Sequence, residues 1–170
     1  MSADRQKIDA AQLRALLTYD AETGIFRWRE RRNHLTPKGS VAGTVNSKGY
    51  VMIGVARRLY QAHRLAWLYV TGEWPKDLID HINTIRTDNR FENLREASKT
   101  ENNRNRSAGI AGRKGLKGAT FRKKEGAWYS GIWSAGKRIH LGTFSSEQEA
   151  HEAYCKAADE MHGEFANFGL

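Results

Sequence analysis

Between Asn102 and Lys124 the chain holds no Asp or Glu, yet it carries eight bases: Arg104, Arg106, Arg113, Lys114, Lys117, Arg122, Lys123 and Lys124. Gly109, Gly112, Gly115 and Gly118 punctuate the same stretch. Like charges repel and glycine is costly to order, so this stretch reads as a flexible basic linker. It leaves the 170 residues to fold as small modules, each near the lower size limit for a self-sufficient core. The expected division is residues 1–61, residues 62–106, a linker over 107–117, and residues 118–168.

Those eight bases nearly equal the whole formal charge of +9. A balance of that sign favours nucleic acid or an anionic membrane as partner. The mean hydropathy is −0.70. No stretch approaches the roughly 18 apolar residues of a spanning helix, so nucleic acid is the expected partner. Residues 1–17 mix acids with bases and contain no apolar leader core, which points to a cytoplasmic protein of a bacterial or phage-infected cell. Cys155 is the one cysteine, which excludes an internal disulfide and a Cys-rich zinc knuckle.

Short periodic segments separated by turn residues predict an α+β fold. Ala10, Leu13, Leu16 and Leu17 share one face of a helix over 9–17. Residues 19–24 read as a turn and 25–28 as a strand. Residues 41–45 and 50–53 flank a turn as a hairpin, and Leu59 and Tyr60 add a strand. Residues 62–69 read as a helix stopped by Gly72 and Pro75. Ser98 with Glu101, and Ser146 with Glu149, have the spacing of capping boxes that start two further helices. Between those helices, strands are expected over 119–123, 128–133 and 137–141. The last helix, with Ala150, Ala153, Tyr154, Ala157, Ala158 and Met161 at helical spacing, ends at Gly163.

Asp80 and His81 put a carboxylate beside an imidazole. Phosphodiester hydrolysis needs an activated water and a cation to neutralise developing charge. A hard divalent ion such as Mg²⁺ takes oxygen ligands, and a neutral histidine can accept a proton from water near physiological pH. Adjacent side chains on a strand point apart, so Asp80 can face a metal while His81 faces a phosphate.

The segment HRLAWLYVTGEWPKDLIDHINTIRTDNRFENLREASKTENNRNR resembles the HNH endonucleases, in the branch common among phage and intron-encoded homing enzymes. Asp80-His81, the Asn93-Leu94 pair and Asn102 carry that resemblance. It implies two antiparallel strands and a helix around one metal ion. It implies Asp80 and Asn102 as metal ligands, His81 as general base, and Asn93 holding the loop that orients His81. It implies Mg²⁺ or Mn²⁺ as cofactor. Where the family loop usually has Asn-Gly after the Asp-His-Ile run, this chain has Asn83-Thr84. Arg104 and Arg106 follow as phosphate contacts, and Arg113 and Lys114 continue them along the linker. His63 lies within the segment and is expected to pack or to touch phosphate rather than react. His34, His151 and His162 are expected at the surface.

On the C-terminal strands bases and aromatics interleave: Arg122, Lys124, Tyr129, Trp133, Arg138 and His140. Alternation puts Trp133, Arg138 and His140 on a DNA-facing surface, with Ile132, Ile139 and Leu141 toward the helix. Leu141-Gly142-Thr143-Phe144, Ala153-Tyr154 and Asn167-Phe168 resemble the Apetala-type DNA-binding domain of plant ethylene-response factors. That resemblance implies a three-stranded antiparallel sheet packed on one helix, with the sheet in the major groove of double-stranded DNA. The expected function is metal-dependent cutting of DNA, most simply nicking. A sequence-specific DNA-binding regulator without cleavage is the alternative.

Overall fold

The computed structural model describes residues 7–105 and 115–169. Arg106, Arg113, Lys114 and most of the expected linker lie outside the described residues. The described chain is α+β, in two compact units, Met1–Ala97 and Ser98–Leu170.

The first unit opens with α1 (Ala10–Leu16), capped by Asp9, whose carboxylate accepts from Gln12 N at 2.8 Å while the Gln12 side chain accepts from Asp9 N. The chain passes straight into an antiparallel hairpin, β1 (Leu17–Asp20) and β2 (Ile25–Trp28), with Tyr19 opposite Phe26. The turn expected over 19–24 is therefore shorter. Tyr19 belongs to β1 because its ring packs on Phe26, centroids 4.8 Å apart. The Asp20 carboxylate accepts from Glu22 N and Thr23 N, and Gly24 closes the turn at φ +71°.

Next, β3 (Thr44–Val45), β4 (Val51–Val55) and β5 (Arg58–Gln61) form an antiparallel three-stranded sheet. Val41, expected in a strand, makes only one bridge, to Arg27. The following α2 (Ala62–Thr71) buries Ala62, His63, Leu65, Ala66 and Leu68 and stops at Gly72, which is left-handed at φ +84°. Leu13, Leu17, Phe26, Ile53, Leu65 and Leu68 make the centre of one core. On its edge lie β6 (Leu78–His81) and β7 (Leu94–Ala97), an antiparallel pair joined by a polar loop and a 3₁₀ turn, Phe91–Asn93.

In the second unit Ser98 caps α3 (Lys99–Arg104) through the expected box with Glu101. An antiparallel sheet follows, β8 (Ala119–Arg122), β9 (Ala127–Ser134) and β10 (Lys137–Phe144), with β9 central. The helix α4 (Glu147–His162), boxed by Ser146 and Glu149, lays Tyr154, Ala157 and Ala158 against Ile132. Leu141 joins that core, but Ile139 is 37% exposed, against expectation. Pairing runs to His140–Gly131 and resumes at Gly142–Ser130, so Leu141 is an extra, bulged residue that breaks the simple alternation.

His151 and His162 also depart from expectation, since both are buried. His151 Nδ1 donates to the Lys117 carbonyl at 2.7 Å and His162 Nε2 to the Trp133 carbonyl at 3.0 Å. Buried carbonyls need donors, and the helix supplies them as imidazoles. His34 is exposed. Among the described residues no helix is long and apolar enough to cross a membrane.

Candidate active site

On β6, Asp80 lies opposite Arg95 and His81 opposite Leu94 of β7. The two neighbours have separate surroundings. Asp80 is buried, and its Oδ2 accepts from Arg95 Nη2 at 3.0 Å and Nε at 3.2 Å. A buried carboxylate needs such a partner, because desolvation penalises its charge. Arg95 escapes a reading of the sequence because its role depends on the register of β7 against β6.

His81 is also buried. Its ring stands edge-on to His63, with centroids 4.9 Å apart and planes at 84°, and lies 6.2 Å from Tyr50. Its Nε2 is 3.4 Å from Asn89 Oδ1. Burial pulls its pKa below the ordinary histidine range, while Asn89 and the carboxylates of Asp80 and Asp88 work the other way. The ring is thus neutral at physiological pH, the form that accepts a proton. His63 is 4% exposed, and burial lowers its pKa to about 3, helped by the positive charges that His81 can carry and Arg64 does carry. It packs and is too enclosed to meet a phosphate.

The loop after β6 is laced by its own side chains. Asn93 Oδ1 accepts from Asn83 N at 3.0 Å, and Asn93 Nδ2 donates to Asn83 Oδ1 at 3.0 Å and to the Asp88 carbonyl at 2.9 Å. Asn83 Nδ2 donates to Asp88 Oδ2 at 2.7 Å, and Asp88 pairs with Arg90 at 2.8 Å. The Arg90 guanidinium holds the Asp88 carboxyl down to about 2. Asn93 therefore fastens both ends of the loop. At its tip Thr84 N donates to the His81 carbonyl at 2.9 Å, with Thr84 at φ +63°. A β-branched residue is strained there. Thr84→Gly is expected to stabilise the first unit by about 1 kcal/mol, the strain relieved minus the extra freedom of glycine in the unfolded chain. Urea unfolding checks this, and a midpoint at or below wild type contradicts it.

Among the described residues no group of three or more His, Cys, Asp and Glu comes together. A single carboxylate, Asp80, suits a hard ion that keeps most of its water, as Mg²⁺ does. It does not suit a structural zinc, which asks for four protein ligands. Asn102 stands on α3, in the second unit, its N–H bonded to the Ser98 carbonyl at 2.9 Å. Arg104 is the last residue of α3.

In the second unit the register of β8, β9 and β10 puts Arg122, Tyr129, Trp133, Arg138 and His140 on one face, away from α4. The Arg122 guanidinium of β8 lies 3.9 Å over the Tyr129 ring of central β9, and the His140 ring of β10 is 5.5 Å from it on the same face. Arg138 lies over Gly131, and Trp133 is 65% exposed. Lys124 is in the turn between β8 and β9.

A 56-residue stretch, 32% of this chain, is 41% identical to APETALA2-like protein 2 of Oryza sativa, in both the indica and japonica subspecies. A 47-residue stretch is 40% identical to the AP2-like ethylene-responsive transcription factor TOE2 of Arabidopsis thaliana. These stretches span only 13% and 10% of the plant proteins. Residues 60–104 match the family model described as HNH endonuclease, which supports a nuclease of HNH type in the segment that holds Asp80, His81 and Asn93.

Proposed function

We propose that this protein is a metal-dependent endonuclease that nicks double-stranded DNA, of the phage or homing type. The observation that carries the reading is a buried His81 next to the buried carboxylate of Asp80 on β6, within the HNH-type segment. Asp80 is the metal ligand on β6, and the family resemblance alone adds Asn102. A divalent ion bound there would neutralise charge on the phosphate and on the leaving 3′-oxygen. His81 takes the proton from water as the water oxygen bonds to phosphorus and the bond to the 3′-oxygen breaks; that oxygen takes a proton from solvent water, leaving a 5′-phosphate and a 3′-hydroxyl. Asn93, by fastening the loop, holds His81 at the scissile phosphate.

The exposed face with Arg122, Tyr129, Trp133, Arg138 and His140 is the proposed reader of the major groove, where arginine recognises guanine. The similarity of part of this chain to plant AP2-like proteins supports this. Lys124, Arg104, Arg106, Arg113 and Lys114 follow the phosphates. The test is supercoiled plasmid with Mg²⁺ or Mn²⁺, against the same reaction with EDTA. Open circles are expected with metal and none with EDTA. DNA binding without a nick at any metal concentration would instead establish a DNA-binding regulator that does not cut.

A further inference from the structure

The β1–β2 hairpin is far from β6 in sequence, yet it meets the loop that carries Asn89. The Tyr19 hydroxyl donates to the Asn89 carbonyl at 2.7 Å. Gly24, at the hairpin turn, lies so close to residues 89 and 90 that an added Cβ would come to 2.5 Å from the Asn89 carbonyl carbon and would overlap Arg90 N. Two points of the hairpin thus grip one peptide unit of the loop. The grip is rigid. The Tyr19 ring is wedged between Phe26 and Tyr69, with centroids at 4.8 and 5.6 Å. Burial also raises its hydroxyl pKa to about 12, so it remains a donor.

Asn89 itself is 2% exposed. Its Nδ2 donates to the Thr87 carbonyl at 3.0 Å, which turns Oδ1 toward His81 Nε2. An amide oxygen only accepts, so the imidazole nitrogen facing it has to donate. In a neutral ring that assigns the proton to Nε2 and the basic lone pair to Nδ1.

We propose that the β1–β2 hairpin is a clamp on residues 89 and 90 that holds the Asn89 amide against His81 and so fixes the His81 tautomer with its proton on Nε2. Asn89 is then a positioning residue, and Tyr19 and Gly24 act through it. The tautomer follows from this geometry alone; its effect on cutting rests on the nuclease reading. An imidazole that already carries its proton on the nitrogen facing the water has no lone pair there to accept the water's proton, so loss of the clamp lowers turnover more than binding.

The test uses the full chain with ¹⁵N-labelled histidine, metal-free, with His81 assigned by comparison with His81→Gln. In wild type, Nε2 is expected at the shift of a protonated ring nitrogen and Nδ1 at that of a bare one. In Asn89→Leu the two shifts are expected to converge as the tautomers interconvert. Plasmid nicking is expected to lose about 10- to 100-fold in kcat with KM little changed. A folded Asn89→Leu protein with the wild-type shift pattern overturns the proposal. If that variant does not fold, as judged by circular dichroism, Tyr19→Phe decides: it removes one oxygen and keeps the ring. Partial convergence of the shifts and a lower kcat are expected, and wild-type values for both overturn the clamp. If wild type cuts no DNA under any condition, the nuclease reading fails while the shift measurements still judge the clamp.

Discussion

His81→Ala is expected to lower the nicking rate by about 10²- to 10⁴-fold, the usual worth of a positioned general base, with DNA affinity close to that of wild type. The size of the effect follows from the surroundings of the ring. The histidine packed on its ring, His63, is kept from accepting protons at neutral pH by a pKa of about 3, so it cannot substitute. Asp80 is engaged with Arg95. The DNA-reading face proposed for the second unit does not involve His81, so affinity and rate should separate. Single-turnover nicking and gel-shift titration of the same preparations check this. Equal losses in rate and affinity would mean that His81 acts by holding the fold.

His63 should make the first unit acid-sensitive well above the pH at which carboxylates titrate. In the folded protein its pKa is depressed from 6.5 to about 3. Folded His63 stays neutral while unfolded His63 takes up a proton, so the unfolded state binds more protons as pH falls from 6.5 toward 3. Stability is full above 6.5 and declines below it, by about 1.4 kcal/mol per pH unit, or about 2 kcal/mol at pH 5. Depression of the His81 pKa adds in the same direction. Asp88, held down to about 2 from 3.8, is a stabilising carboxylate whose contribution is lost as pH falls through that range, so it leaves the window from 6.5 to 5 untouched. His63→Phe keeps an aromatic ring against Tyr50 and His81 but cannot titrate. Urea unfolding at pH 7.5 and pH 5, followed through the α2 amides, should show a clearly smaller acid loss in His63→Phe. An identical pH dependence in both proteins would place the acid sensitivity elsewhere.

The local signals were the most legible part of this chain. Helix starts were visible because a capping box is a contact between residues three apart: Ser98 with Glu101 and Ser146 with Glu149 both form as expected. The strands of the C-terminal sheet followed from alternation and turn residues, and pairing then extended β10 to Phe144. Tyr19 was misplaced in a turn because its strand character comes from Phe26 across the hairpin. Val41 was misplaced in a strand for the converse reason, having no continuous partner. Thr84 was legible as a departure in sequence, and the φ of +63° is what turns it into strain.

The chain by itself determined the adjacency of Asp80 and His81, the asparagines that follow them, and the basic, aromatic composition of the C-terminal sheet, because these are properties of neighbours. Only the tertiary structure decided what each site residue meets. Arg95 reaches Asp80 through the register of β7 on β6, and His151 and His162 of α4 meet the carbonyls of Lys117, before β8, and of Trp133 in β9. Asn89 turns to His81 under a hairpin some 70 residues earlier in the chain, at Tyr19. Each of these is a contact between segments remote in sequence, made when buried polar groups must find partners on folding, and no local pattern encodes such a match.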